Sequence, residues 1–272
     1  MAFALFSATS CVRCKIVKSY MKDNGIAYQE FDFKAEGKDE FNAFYRKNRP
    51  KIYRGEEGIE FPILFNGKEV IQGVGVIIAY LKNDVLLNLY VTRSDLSHGW
   101  VSGLTIADSD PSCADDFVAV VAFLKTHGLK TQIETDGKNA KILSQLIERS
   151  LIDRLNFNLR GPAGIYEAFT GTPLSQEELG LSLSLIEQCP EYNIILLLQA
   201  LLRPDGQKDL ISPEEAAEAA AFVEQATNKK THPFYIKECI SSNDKETLPM
   251  PNLFKYRTAC RRYMVKTEIF KE

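Results

Sequence analysis

Strand-length and helix-length apolar patterns alternate along nearly the whole chain, and that alternation limits the fold more than any other feature. Period-two runs and short apolar runs predict strands, and apolar residues three and four apart predict helices. "AFALF" (2–6) reads as a short strand. Val12, Ile16, Val17, Tyr20 and Met21 recur at helical spacing. Ser10 stands where it can cap that helix, and Asn24-Gly25 where it can end it. "IAYQEFDF" alternates as a strand, and a second amphipathic helix runs from about Lys38 to Arg46. "FPILF" and "EVIQG" flank "NGK", a hairpin signal, and "VGVIIAYLKN" closes as a helix. The expected order over residues 1–83 is βαβαββα.

The alternation then resumes. "VSGLTIAD", "LKTQIET", "LIDRLNFNL", "YNIILLLQAL" and "PFYIKEC" read as strands, separated by helical patterns such as "ADDFVAVVAFLKTH" and "AKILSQLIER". Ser212-Pro213-Glu214-Glu215 combines a cap, a first-turn proline and two acids, a strong helix start. Strands alternating with helices imply a parallel sheet or barrel, so the class is α/β. Five such strands between residues 101 and 239 fall short of the eight of a complete barrel. The expected organisation is a first domain over 1–83, a linker over 84–100, a partial (β/α) barrel over 101–239 and an extension over 240–272. In the extension, "KYRTACRRYMVK" reads as a basic, helix-like end, either a solvated surface or an edge packed on the barrel rather than a nucleic-acid patch.

Composition narrows the function. A net charge of −3 gives no reason to expect nucleic acid or an anionic membrane as partner. No apolar run is long enough to span a membrane, and "MAFALFSATS" lacks a signal peptide's positive start. A cytoplasmic setting is expected. Six cysteines in 272 residues do not make a disulfide scaffold, and Cys113, Cys189, Cys239 and Cys260 stand singly, as small buried apolar side chains do. The three histidines, His98, His127 and His232, show no ligand-pair spacing.

Cys11 and Cys14 are different. They stand three apart between the first strand and the first helix, in "FSATSCVRCK". Thiol–disulfide exchange needs a thiolate, and a helix N-terminus favours one. Arg13 and Lys15 add positive charge. The same spacing also serves zinc sites, which would need two further ligands at similar local spacing, or two buried small side chains. No such ligands occur, so a redox pair is the leading expectation.

Residues 1–83, through "LFSATSCVRCKIVKSYMKDNGIAYQEFDF" and "FPILFNGKEVIQG", resemble a glutaredoxin-like redoxin of the thioredoxin fold. The resemblance implies a nucleophile at Cys11, a resolving thiol at Cys14, and a cis-proline at Pro62 whose preceding residue, Phe61, lies beside the active sulfur. It also implies a turn at Gly73, where a helix N-terminus receives a carboxylate. Thr9 stands where glutathione-using members carry a basic residue, Val74-Gly75 where they often carry an acidic pair, and Val12-Arg13 where Pro-Tyr is usual. Glutathione and a reductase both remain as electron donors.

Residues 101–239 resemble the later part of a radical S-adenosylmethionine barrel of the type that activates glycyl-radical enzymes. "GLTIADSDP", "HGLKTQIETDG", "LIDRLNFNLRGP" and "YEAFTG" carry that resemblance in order. The family's C-x₃-C-x₂-C run, which holds an iron–sulfur cluster through thiolates, occurs nowhere in this sequence. A barrel without cluster chemistry is expected, with Asp108, Asp110, Glu134, Asp136, Asn158 and Arg160 lining a polar cleft at the strand ends. No bound cofactor or metal is expected. The expected function is thiol–disulfide oxidoreduction by the CVRC pair. The second domain would hold a protein client with thiols or a disulfide, such as a radical enzyme or its activase. The alternative is a redox-sensing scaffold built on a catalytically inert barrel.

Overall fold

A computed structural model describes residues 3–55, 58–83, 87, 90–92, 99–106, 111–246 and 248–271. The fold is α/β. The chain begins β1 (Phe3–Ser7), α1 (Val12–Asp23), β2 (Tyr28–Asp32), α2 (Lys38–Asn48). A two-residue pair follows, β3 (Arg54–Gly55) and β4 (Gly58–Ile59), then β5 (Ile63–Phe65), β6 (Val70–Gln72) and α3 (Val74–Asn83). Next come β7 (Trp100–Ile106), α4 (Ala114–Thr126), β8 (Lys130–Thr135), α5 (Ala140–Glu148), β9 (Arg154–Leu159), α6 (Tyr166–Thr170), α7 (Gln176–Leu185) and β10 (Glu191–Leu198). The chain ends with β11 (Ala200–Leu202), β12 (Lys208–Leu210), α8 (Pro213–Thr227), β13 (Phe234–Glu238), α9 (Ser242–Lys245), α10 (Leu253–Cys260) and β14 (Thr267–Ile269).

Four strands form one sheet in the order β2-β1-β5-β6. β1 runs parallel to β2 and antiparallel to β5, and β5 is antiparallel to β6. A six-stranded parallel sheet has the order β14-β13-β10-β9-β8-β7. Contacts group the chain into two compact units, residues 1–105 with 110–131, and 106–109 with 132–272. The first unit therefore includes α4 and most of β7 besides the small sheet.

Aromatic packing holds one face of the small sheet. Phe6 stacks on Phe44 at 4.2 Å and on Phe31 at 5.4 Å between ring centroids, and Phe41 and Ile63 are buried with them. Each such pair adds about 1 kcal/mol beyond area burial. On α1 and α3, Val17, Met21, Ile77 and Ile78 are fully buried, and Tyr20 meets Phe123 of α4 edge-on at 5.0 Å.

In the second unit, strand alternation sorts side chains by face. Leu155, Phe157 and Leu159 of β9 are buried, as are Ile194 and Leu196 of β10, beside which Phe157 and Leu159 register. The alternate positions Asn156, Asn158 and Asn193 are half-buried and polar. The expected helix start at α8 is present, and Ser212 and Glu215 form a capping box there. The segment expected to be helix-like begins within α10, and β14, just beyond it, extends the sheet beside β13. Among the described residues no helix is long and apolar enough to cross a membrane.

His232 is fully buried. Its Nδ1 lies 3.0 Å from the Tyr192 hydroxyl and its Nε2 lies 2.8 Å from Thr227 Oγ1. Burial pushes its pKa below the ordinary 6.5, with Glu187 opposing and Lys229 assisting the shift. The unfolded chain takes up this proton at a higher pH than the folded one. His232 therefore contributes stability above pH about 6.5, and that contribution falls as pH drops toward the folded value. Urea midpoints measured from pH 7.5 downward should fall more steeply for the native chain than for His232→Gln. Parallel curves would refute this.

Candidate dithiol site

Cys11 and Cys14 form a disulfide. Cys11, rather than Ser10, occupies the N-cap of α1, because Ser10 has a left-handed φ of +67° and Cys11 is extended. The Cys14 amide N–H donates to Cys11 Sγ at 3.1 Å, and the Cys11 N–H donates to the Ala8 carbonyl at 3.0 Å. The two sulfurs differ in access: Cys14 is 1% exposed and Cys11 is half-buried. The neighbouring Val12 is 61% exposed.

The loop that carries the dithiol is tied to β2. Thr9 donates to Asp32 through its N–H at 3.2 Å and its hydroxyl at 2.9 Å. Slight burial works against the Asp32 charge, but hydrogen bonds from Lys34 and Thr9 outweigh it and hold the carboxyl below the usual carboxylate range.

The Phe61–Pro62 peptide bond is cis. The Phe61 ring packs on Phe33 at 5.7 Å and on Phe41 at 5.4 Å. Gly73 has φ +98°, and its N–H donates to the Pro62 carbonyl at 3.1 Å. Gln72 gives this region an anchor that the sequence reading missed. Its buried amide donates to the Tyr53 carbonyl at 3.1 Å and the Glu60 carbonyl at 2.8 Å, and accepts from the Tyr53 N–H at 2.8 Å. A glutamine ending the apolar run "EVIQ" was its available signal.

Arg13 does not stand alone as a positive charge beside the sulfurs. It pairs with Glu60 at 2.5 Å and donates to the Trp100 carbonyl at 3.3 Å. Gly75, in the first turn of α3, lies under two valines. A β-carbon there would stand 3.3 Å from Val101 Cγ1 and 3.4 Å from Val91 Cγ1.

In the second unit, Asn158 donates to Glu134 at 2.7 Å, and Arg160 donates to Gln199. Asp136 is buried in the turn after β8. Asp108 and Asp110 lie outside the described residues.

No family model matches the chain. It is 22% identical over 160 residues to a protein of Methanocaldococcus jannaschii named "Putative glycyl-radical enzyme activating enzyme". The match spans 58% of this chain and 65% of that protein, less than two thirds of its length. The radical S-adenosylmethionine resemblance implies an iron–sulfur cluster, and the residues present do not fit one. Cys113, Cys189 and Cys260 are buried singly, and burial pushes the Cys189 and Cys260 thiols up to about 12, far from the thiolate a cluster needs. Among the described residues no three His, Cys, Asp or Glu side chains converge as a metal site.

Proposed function

We propose that the chain is a thiol–disulfide oxidoreductase of glutaredoxin-like, thioredoxin-fold type, with Cys11 attacking and Cys14 resolving. The observation that carries this reading is the disulfide at the start of α1, in which only Cys11 is appreciably exposed. In the reduced chain, the Cys11 thiolate attacks one sulfur of a client disulfide. A mixed disulfide forms and one client thiolate leaves. Cys14 then loses its proton and attacks the Cys11 sulfur, releasing the second client thiolate. The client gains two electrons and the dithiol is oxidised to the disulfide. An external thiol or dithiol reductant restores it. Phe61 and Pro62 would present extended backbone to the client, and Gly73 would set the start of α3 beside it.

The likeness to an activating enzyme makes a radical enzyme or its activase the client we propose, with the second unit as the module that holds it. The singly buried thiols suit a reducing, cytoplasmic setting. A redox-sensing scaffold is the second reading, favoured by a likeness to an activating enzyme in a chain without the cluster cysteines.

The deciding measurement is an anaerobic titration of the full chain in dithiothreitol buffers, read by alkylation and intact mass. A single two-electron couple confined to Cys11 and Cys14 is expected. Failure to form that disulfide at any buffer ratio would end the exchange reading.

A further inference from the structure

Residues 90–92 and β7 form a short antiparallel ribbon. Val91 bridges Leu104, the Thr92 N–H donates to the Gly103 carbonyl at 2.8 Å, and the Thr105 N–H donates to the Tyr90 carbonyl at 2.7 Å. The ribbon is well anchored. Tyr90, Val91, Val101 and Leu104 are all buried, and the Tyr90 ring lies 4.9 Å from Phe117 of α4. Gly103 holds the turn of backbone this needs: its φ is +72°, and a β-carbon would meet the Thr92 carbonyl oxygen at 2.3 Å.

This ribbon lies over the first turn of α3, on the Arg13 side of the dithiol. Val91 and Val101 sit against Gly75, and the Trp100 carbonyl receives Arg13. The cleft left between Arg13, Glu60, Gly73, Thr92 and Trp100 is about 20 Å³, room for roughly one water. A small anionic thiol binds by setting its carboxylate on a cation or on helix N-terminal N–H groups. Here valine methyls crowd Gly75 in the first turn of α3, and the Arg13 cation already carries Glu60. Both chain neighbours of Cys11 are exposed and neither is charged: Ser10 and the apolar Val12.

We infer that the ribbon is a built-in cover, with Val91 and Val101 as specificity-determining residues, that reserves the dithiol for disulfides carried on polypeptides and denies glutathione a binding site. The inference rests on the exchange reading above. Glutathione still reacts by collision, without a bound complex.

The test uses the full chain. The oxidised protein is reduced by glutathione, 2-mercaptoethanol or dithiothreitol, and its thiols are counted by acid quench and alkylation. The reduced protein is offered insulin or glutathione disulfide. Corrected for thiolate content, glutathione should be no faster than 2-mercaptoethanol and show no saturation, and insulin should be the better oxidant. In Val91→Ala/Val101→Ala, the glutathione rate relative to dithiothreitol should rise by about tenfold, the worth of one new charge-assisted hydrogen bond. Saturation by glutathione, or a dominant Cys11–glutathione adduct in the native chain, would overturn the cover. So would an unchanged ratio in a double variant whose far-UV circular dichroism is native. Should that variant fail to fold, the native chain's preference between insulin and glutathione disulfide decides alone. If not even dithiothreitol opens the bond, the exchange reading falls and takes this inference with it.

Discussion

Cys14→Ser is expected to stall as a covalent adduct with a disulfide-bearing protein, and Cys11→Ser is expected to form none. Cys14 is 1% exposed, so a client sulfur meets Cys11 first. Its amide N–H already points at Cys11 Sγ, 3.1 Å away, and would hydrogen-bond a thiolate there as it does the disulfide sulfur. Serine is close in size to cysteine, so either replacement costs little packing. A hydroxyl does not attack a disulfide at neutral pH. The mixed disulfide at Cys11 therefore has no internal route to resolution once Cys14 is gone. Turnover in both variants should fall to the uncatalysed rate, but only Cys14→Ser should give a one-to-one adduct on non-reducing electrophoresis, released by dithiothreitol. An adduct from Cys11→Ser alone would reverse the two roles. None from either would remove exchange as the function.

Local chemistry was legible in the sequence where local rules decide the outcome. Of the five apolar positions read in the first helix, Ile16, Val17, Tyr20 and Met21 are buried and only Val12, in its first turn, is exposed. Ser212-Pro213-Glu214-Glu215 reads as a helix start because each residue acts within one turn of it. The α/β class followed from periodicity alone. What was not legible depends on partners far away in the chain. Arg13 read as a free positive charge, since nothing near it reveals Glu60, 47 positions on, or the Trp100 carbonyl, 87 positions on. Val91 and Val101 gave no sign that they would cover Gly75. The hairpin β11–β12 was hidden for another reason: "QALLRPDGQKDL" follows a buried strand without a break in hydropathy, and only Pro204 to Gly206 marks the reversal. β14 has three residues, too few for any period to show.

Phe157→Ala should be the most destabilising of the conservative truncations in the second unit. Phe157 is 0% exposed and lies on β9, paired with Thr135 of β8 on one side and Ile194 of β10 on the other. Its ring rests against the turn after β8: a β-carbon on Gly137 would lie 3.1 Å from Phe157 Cζ and 2.7 Å from Leu179 Cδ1 of α7. Gly137 holds φ +99°, so that turn cannot readily move in to fill a void. A cavity that neither strand neighbours nor turn can close keeps most of its cost, about 3–5 kcal/mol for Phe→Ala. That is a large share of the roughly 5–15 kcal/mol that holds a typical domain. Leu181 on α7 is the control, because it is 55% exposed and its truncation should stay within about 0.5 kcal/mol. Urea unfolding followed by far-UV circular dichroism should move the midpoint down sharply for Phe157→Ala and hardly at all for Leu181→Ala. Equal midpoints would mean that the apolar face of β9 is not the core of this unit. The polar pairs at the end of that strand, Asn158 with Glu134 and Arg160 with Gln199, would then lose the rigid base on which the proposed client-holding surface depends.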